Sequence, residues 1–210
     1  MKAYIYCTQT KPYLVEPKEL CDEQDEYGIT NEDCISGIAL NGSIVAECEV
    51  KEALSCTPLF GRLPFYSFGN GENRITEDDF YKRSQLDLTA LINYAKGYGF
   101  YAYHLENAKP VELNLSDFYE DEACTKPLTK APQSYRFAYR RHNCTDEEAR
   151  MINKWSDQEG HECFQDVYGW YYVEKCLIFS DHPEYCAKIL NGEKDLEVRK
   201  TRIAEGVEYE

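Results

Sequence analysis

The chain has 210 residues, a formal charge of −15 at neutral pH, 43% apolar residues and 14% aromatic residues, 18 of them tyrosine. This length and apolar content give one domain with a true core and exclude a disordered chain. The acidity excludes general binding along phosphate backbones, whose affinity comes from counterions released around Lys and Arg, so any nucleic-acid contact must be local. No run reaches the roughly 18 apolar residues of a membrane span, and "MKAYIYCTQTKPYLVE" has no apolar signal core. The ten cysteines are therefore expected as reduced thiols, many filling the core of a cytoplasmic protein without membrane contact.

In chain order, "KAYIYCT" alternates and is rich in aromatic and β-branched residues, the pattern of a strand. "EPKELCDEQDEYGITNED" reads as an acidic loop or short helical piece with a solvated face. "NGSIVAECEVKEA" is a second strand opened by the turn pair Asn41-Gly42, and "CTPLFGRLPFYSFGNGENR" is an irregular loop broken by Pro and Gly. "ITEDDFYKRSQLDLTALINYAKGYG" predicts one or two helices, with Thr76 as a cap, acidic residues in the first turn, and Gly97 as a stop. Leu88, Leu91, Ile92 and Ala95 fall at i, i+3, i+4 and i+7 and form its core stripe.

"GFYAYHLENAKPVEL" is a third strand, and the long connection after it becomes strand-like at "SYRFAYRR". Thr145-x-x-Glu148 is a capping box that predicts a helix from there. "VYGWYYVEKCLIFSD" is a strand pair or one long bent strand, and "HPEYCAKILNG" a short helix with Pro183 near its start and Gly192 at its end. "KDLEVRK" closes the chain's pattern as a strand. The sum is an α+β domain whose sheet is expected to close into a barrel with flanking helices.

The last strand carries the densest group of site-like residues. By alternation, Leu196 and Val198 point one way, and Asp195, Glu197 and Arg199 the other, with Lys194 at the entrance. A carboxylate can accept from a base's exocyclic amine, a guanidinium can donate twice to a carbonyl or phosphate, and a desolvated lysine can serve as base or nucleophile. The plain alternative is an exposed strand face whose Glu–Arg pair contributes little.

"HPEYCAKILNGEKDLEVRK" resembles the opening signature of the ASCH family within the PUA-like superfamily: a short helix, then G-x-K-x-x-E-x-R on a strand, matched by Gly192, Lys194, Glu197 and Arg199. "AYIYCTQTKPYL", "NGSIVAECEV", "GFYAYHLENAKPVEL" and "KAPQSYRF" are similar to later segments of phage-type members. In the family the signature comes first and the Y-I-Y-C-T strand follows it. The resemblance therefore implies one circularly permuted ASCH-like domain over residues 1–210, with residues 140–168 as an insertion or linker joining the family's usual termini. A monomer is expected, and a domain-swapped dimer is the alternative.

The resemblance also implies RNA or a modified nucleoside as ligand in a cleft beside the barrel, with no cofactor. Lys194 and Glu197 stand at the catalytic positions, and Arg199, Gln133, Ser134, His104 and Tyr6 are ligand-binding candidates. Small bacterial ASCH proteins include acetylcytidine amidohydrolases, whose lysine corresponds to Lys194 but whose helper threonine falls where this chain has Glu197. A neighbouring carboxylate holds a lysine charged, which ranks binding above hydrolysis. The remaining alternative is an acidic module that engages a basic protein.

Arg136, Arg140 and Arg141 form a basic spot that, with Arg199, Lys200 and Arg202, is a candidate phosphate cradle. His142, Cys144, His161 and Cys163 bracket the capped helix, but their one-residue spacings depart from zinc-site spacing, and no metal is expected.

Overall fold

The computed structural model describes residues 1–8, 42–59, 66–69, 74–159, 162–203 and 208–209. The acidic segment predicted before the second strand, most of the Pro/Gly-rich loop and His161 lie outside the described residues.

Ten strands and four α-helices are described: β1 (Lys2–Cys7), β2 (Ile44–Pro58), β3 (Tyr66–Phe68), α1 (Glu77–Ser84), α2 (Leu88–Ala95), β4 (Phe100–Leu113), β5 (Phe118–Tyr119), β6 (Tyr135–Cys144), α3 (Asp146–Glu159), β7 (Cys163–Asp166), β8 (Gly169–Asp181), α4 (Pro183–Leu190), β9 (Leu196–Arg199) and β10 (Glu208–Tyr209). They form one mixed, mostly antiparallel sheet in the order β5-β6-β8-β1-β2-β4-β9, with β3 and β10 also on β2 and β7 on β8. Two ladders are parallel, β1 with β8 and β10 with β2.

The local signals act as read. Thr76 accepts the Asp79 amide at the start of α1. Asp87, which the sequence reading passed over, accepts the Ala90 amide and so splits the helical stretch in two. Thr145 and Glu148 satisfy each other's backbone amides and start α3. Of the predicted stripe, Leu91 and Ala95 are buried, while Leu88 lies on the exposed side.

Part of the predicted irregular loop is in fact strand. β2 runs on to Pro58, and β3 pairs back onto Cys56–Pro58. The apolar residues Cys56, Tyr66 and Phe68 are buried there, and that burial outweighs the local Pro and Gly.

β1 is central and covered on both faces. Ala3, Ile5 and Cys7 join a cluster with Phe179 and with Cys186 and Ile189 of α4. Tyr4 and Tyr6 point the other way, into a cluster with Phe118, Leu128 and Ile178. A third cluster seats α1 and α2 against β3, β4 and β9, with Phe80 stacked on Phe68 at 4.2 Å between ring centroids.

The expected closed barrel is not reached by backbone pairing. Among the described residues no ladder joins the end strands β5 and β9, so the sheet is open. It is nevertheless curled enough for side chains to span it. Tyr103 of β4 approaches Phe179 of β8 at 5.9 Å between centroids, and Arg199 of β9 donates to the Ser180 carbonyl of β8 at 2.8 Å. Three strands separate β8 from β9 in the sheet order. Among the described residues, no helix is long and apolar enough to cross a membrane.

Phe80 is fully buried in the α1–β3–β4 cluster. Phe80→Ala is expected to cost about 3–5 kcal/mol, read as a lower urea midpoint with an unchanged slope.

Candidate functional site

The site is built by one continuous arm, β8–α4–β9. β8 ends at Ser180-Asp181, His182 caps α4, and Pro183 occupies its first turn, where a missing amide costs nothing. α4 stops at Asn191-Gly192, and Gly192 takes a left-handed backbone (φ 73°). The chain then folds back, the Lys194 amide donating to the Lys188 carbonyl at 3.0 Å, and enters β9 beside β4. This return brings Asp181 within reach of Lys194 and Glu197.

Four charged side chains meet there, and all are buried: Asp181 at 7% exposure, Lys194 at 4%, Glu197 at 2% and Arg199 at 8%. Lys194 Nζ donates to Asp181 Oδ2 at 3.1 Å and to Glu197 Oε2. Arg199 Nη2 pairs with Glu197 Oε1 at 2.7 Å and donates to the Ser180 carbonyl. The Tyr185 ring lies 5.1 Å from the Lys194 ammonium, and the Phe179 ring 5.5 Å from the Arg199 guanidinium. Arg199 Nε is enclosed and has no hydrogen-bond partner among the described residues.

This burial corrects the sequence picture of β9. All four of its residues are buried, so its polar face turns inward and is no solvated surface. Asp195 does not share that face. It precedes the strand and pairs with Arg83 of α1 at 2.9 Å.

The tetrad lines a cleft of about 340 Å³ whose wall includes Leu86, Ala90 and Tyr94 of the α1–α2 region, Tyr185 of α4, and Thr8 and Gln133. Burial alone would lower the Lys194 value, but the charges of Glu197 and Asp181 outweigh it and hold the ammonium above its ordinary range. Burial pushes Glu197 up to about 7, against the pull of Arg199 and with the Asp181 charge adding to the rise. Burial also works to raise Asp181, but Lys194 and Arg199 hold it below the usual carboxylate range.

Of the sequence candidates, the structure brings together Lys194, Glu197, Arg199 and Gln133. Ser134 sits beside the cleft, and its carbonyl accepts the Ser180 amide at 2.9 Å. His104 lies elsewhere, on β4 among carboxylates, 3.4 Å from Glu52 and 3.6 Å from Asp195. Tyr6 is a core residue packed among Tyr4, Ile44 and Ile178.

The two basic groups meet only in part: Arg136 is opposite Ile178, two residues from Ser180, and Tyr135 beside it donates to the Arg202 carbonyl at 3.1 Å, whereas Arg140 lies further off. Arg140 pairs with Glu174 in the β6–β8 register, six residues along β8 from Ser180, about 20 Å at strand rise. Arg140 donates to the Tyr4 hydroxyl at 2.7 Å, Arg141 pairs with Asp166 at 2.8 Å, and Arg136 with Glu120 at 3.5 Å. Cys144 and Cys163 place their sulfurs 3.5 Å apart, while His142 turns to Glu174 at 3.2 Å. Among the described residues, no group of three or more His, Cys, Asp or Glu is placed to hold a metal. The eight described cysteines are free thiols.

Sequence reasoning missed Asp181, Ser180 and Thr8. Asp181 carried a weak signal, an acidic residue ending an apolar strand immediately before His182-Pro183. No family model, curated protein or solved structure matches this chain.

Two expectations follow. Lys194→Met leaves two buried carboxylates facing one guanidinium and is expected to lower stability by about 3–5 kcal/mol. Lys194→Met/Glu197→Leu removes one charge of each sign and should cost less than the sum of the two singles, which a denaturant double-mutant cycle reads directly.

The second concerns pH. Glu197 is raised to about 7 when folded, so between the ordinary carboxylate range and neutrality the folded state holds a proton the unfolded state has released. Stability from this group therefore falls as pH rises from about 5 to 8. Measured over that window, the wild-type chain should lose stability relative to Glu197→Gln, and parallel curves would refute the assignment.

Proposed function

We propose that this chain is a circularly permuted ASCH-type domain, barrel-like in its curl, that binds RNA or a modified nucleoside in the Asp181–Lys194–Glu197–Arg199 cleft. The observation that carries the reading is that Lys194, Glu197 and Arg199 of the G-x-K-x-x-E-x-R pattern converge, buried, on a cleft of about 340 Å³ with aromatic walls. Ammonium and guanidinium groups offer donors to base carbonyls, the Tyr94 and Tyr185 rings flank a planar ligand, and Gln133, exposed at the mouth, can pair with a base edge.

The permuted order is supported by the sheet. β4 holds one edge of β2, and β1 and β10 share the other, with Met1 beside Val50 and Glu208 beside Glu52. On β2 the β10 pairing at Glu52 lies only a few residues from the Met1 contact at Val50, so a chain running from β10 into β1 would have only a short path to cover. The reading takes a monomer as the working unit, with a domain-swapped dimer as the alternative.

One observation keeps hydrolysis as a second reading. Glu197, raised to about 7, is a carboxyl able to give or take a proton at neutral pH inside the cleft. Lys194 itself is held charged and is a poor base. An acetylcytidine-type amidohydrolase built here would route its proton through Glu197.

The test is a thermal-shift panel of nucleosides, modified nucleosides and short RNAs against wild type, Gln133→Ala and Arg199→Ala, each compared with its own ligand-free melting temperature. A ligand at about 100 times its dissociation constant adds about 2.7 kcal/mol, a shift of several degrees at this size. A shift that Arg199→Ala abolishes and Gln133→Ala reduces is expected. A panel flat in all three proteins, beside salt-sensitive capture of a basic protein, would favour the acidic interaction module instead.

A further inference from the structure

Asp181 and Glu197 come from opposite ends of the β8–α4–β9 arm, yet both reach the Lys194 ammonium, and their carboxyls lie within hydrogen-bonding reach of each other. Two carboxyls can share a hydrogen bond only when one carries a proton. With both ionised, the tetrad holds two positive and two negative charges and is neutral. With one proton on Glu197 it carries a single positive charge. The outward-facing chemistry is then that of donors, since each carboxyl is already engaged by a cation.

We propose that ligand binding in this cleft is coupled to protonation: when an acceptor oxygen of the ligand seats against Lys194 and Arg199, Glu197 takes one proton from solvent, and Asp181 is the positioning residue that holds this proton on Glu197. The inference rests on the cleft being a ligand site. The balance is simple. One solvent proton is bound, no bond between heavy atoms changes, and the positive charge gained is met by the ligand's oxygen.

The surroundings localise the proton. β9 contributes Arg199, and β8 contributes Asp181. α4 faces the pair with Tyr185 and Cys186, β2 with Cys48, β1 with Cys7, and α2 with Tyr94. Burial raises Tyr94 and Tyr185, and pushes Cys48 up to about 12, so these three keep their protons at neutral pH, whereas the hydrogen bond with Cys186 lowers the Cys7 thiol, which the carboxyl-specific readout below separates from Glu197. The charge of Asp181, ionised because Lys194 and Arg199 favour it, makes Glu197 the member that protonates first. His182 also lines the cleft, so the experiment carries a His182→Gln control.

The experiment is a pH titration of the full chain with glutamate side-chain carboxyls labelled with carbon-13, read by NMR alone and with two probes. Hexauridylate carries carbonyl and phosphodiester oxygens, and uridine carries carbonyls only. Without probe, one glutamate should titrate near neutrality. It should vanish in Glu197→Gln, persist in His182→Gln, and move down by at least about one pH unit in Asp181→Asn. With a bound probe its midpoint should rise, each pH unit corresponding to about tenfold tighter binding to the protonated protein.

A rise with both probes names the base carbonyl as the acceptor, and a rise with hexauridylate alone names the phosphodiester. Every glutamate titrating in the ordinary range near pH 4–5 would overturn the shared proton. Probe-dependent shifts at cleft resonances with an unmoved Glu197 midpoint would overturn the coupling and leave the binding reading standing. No probe-dependent change at any cleft resonance would remove the coupling together with the binding reading.

Discussion

Four desolvated charges decide the arrangement of this protein. An ion buried alone carries a penalty of several kcal/mol, and it is tolerated only when partners of opposite sign sit at hydrogen-bonding distance and the remaining polar atoms are satisfied. Asp181, Lys194, Glu197 and Arg199 find partners of opposite sign only as a set, and Arg199 Nε is left without a hydrogen-bond partner among the described residues. Glu197 alone contacts both cations, and Lys194 contacts both carboxyls. No member can be placed until β8, the return after α4, and β9 are all in register. The requirement fixes a geometry that apolar packing would leave loose, because apolar contact is non-directional and a guanidinium–carboxylate pair is not.

The curl of the sheet follows from the same set. β9 attaches to the sheet through β4, three strands away from β8. A flat sheet would hold Arg199 more than ten ångströms from Ser180, at about 4.8 Å per strand. The observed contact at 2.8 Å therefore requires strong twist and coiling, which the Tyr103–Phe179 contact fills beneath it. Tyr103 also ties down the segment after β9, accepting the Ile203 amide at 2.9 Å and donating to the Thr201 carbonyl. The cleft is thus the place where the two sides of a curled sheet are joined by side chains without a backbone ladder.

How much of this was legible in the sequence depends on the range of the interaction. Helix starts are decided within four residues, so Thr76 and the Thr145–Glu148 box could be read directly, and the alternation of "KAYIYC" gave a strand whose odd and even residues do enter different clusters. The same alternation separated Glu197 and Arg199 from Leu196 and Val198 on β9, but alternation cannot say whether the polar side faces water. That depends on Asp181, 13 residues before Lys194, and on the curl that β4 and β8 impose. His104 lies outside the cleft for the opposite reason. It stands in a strand rich in aromatics, but the partners that claim it, Glu52 and Asp195, come from other parts of the chain. Asp87 was overlooked because a continuous apolar stripe hid the second cap.

The tetrad also separates the two chemistries a buried lysine can perform. A lysine acts as base or nucleophile when its surroundings favour the neutral amine, through apolar burial or a neighbouring cation. Here two carboxyls contact Lys194, and their charges outweigh the effect of burial, so the amine stays an ammonium. The group left to exchange a proton at neutral pH is Glu197. A hydroxyl at that position would add no charge, so the lysine would lose one of the two anions that keep it protonated. The carboxyl at position 197 therefore keeps the lysine charged and is itself the group that titrates. The result is a site whose lysine and arginine donate, and whose net charge is set by a single proton.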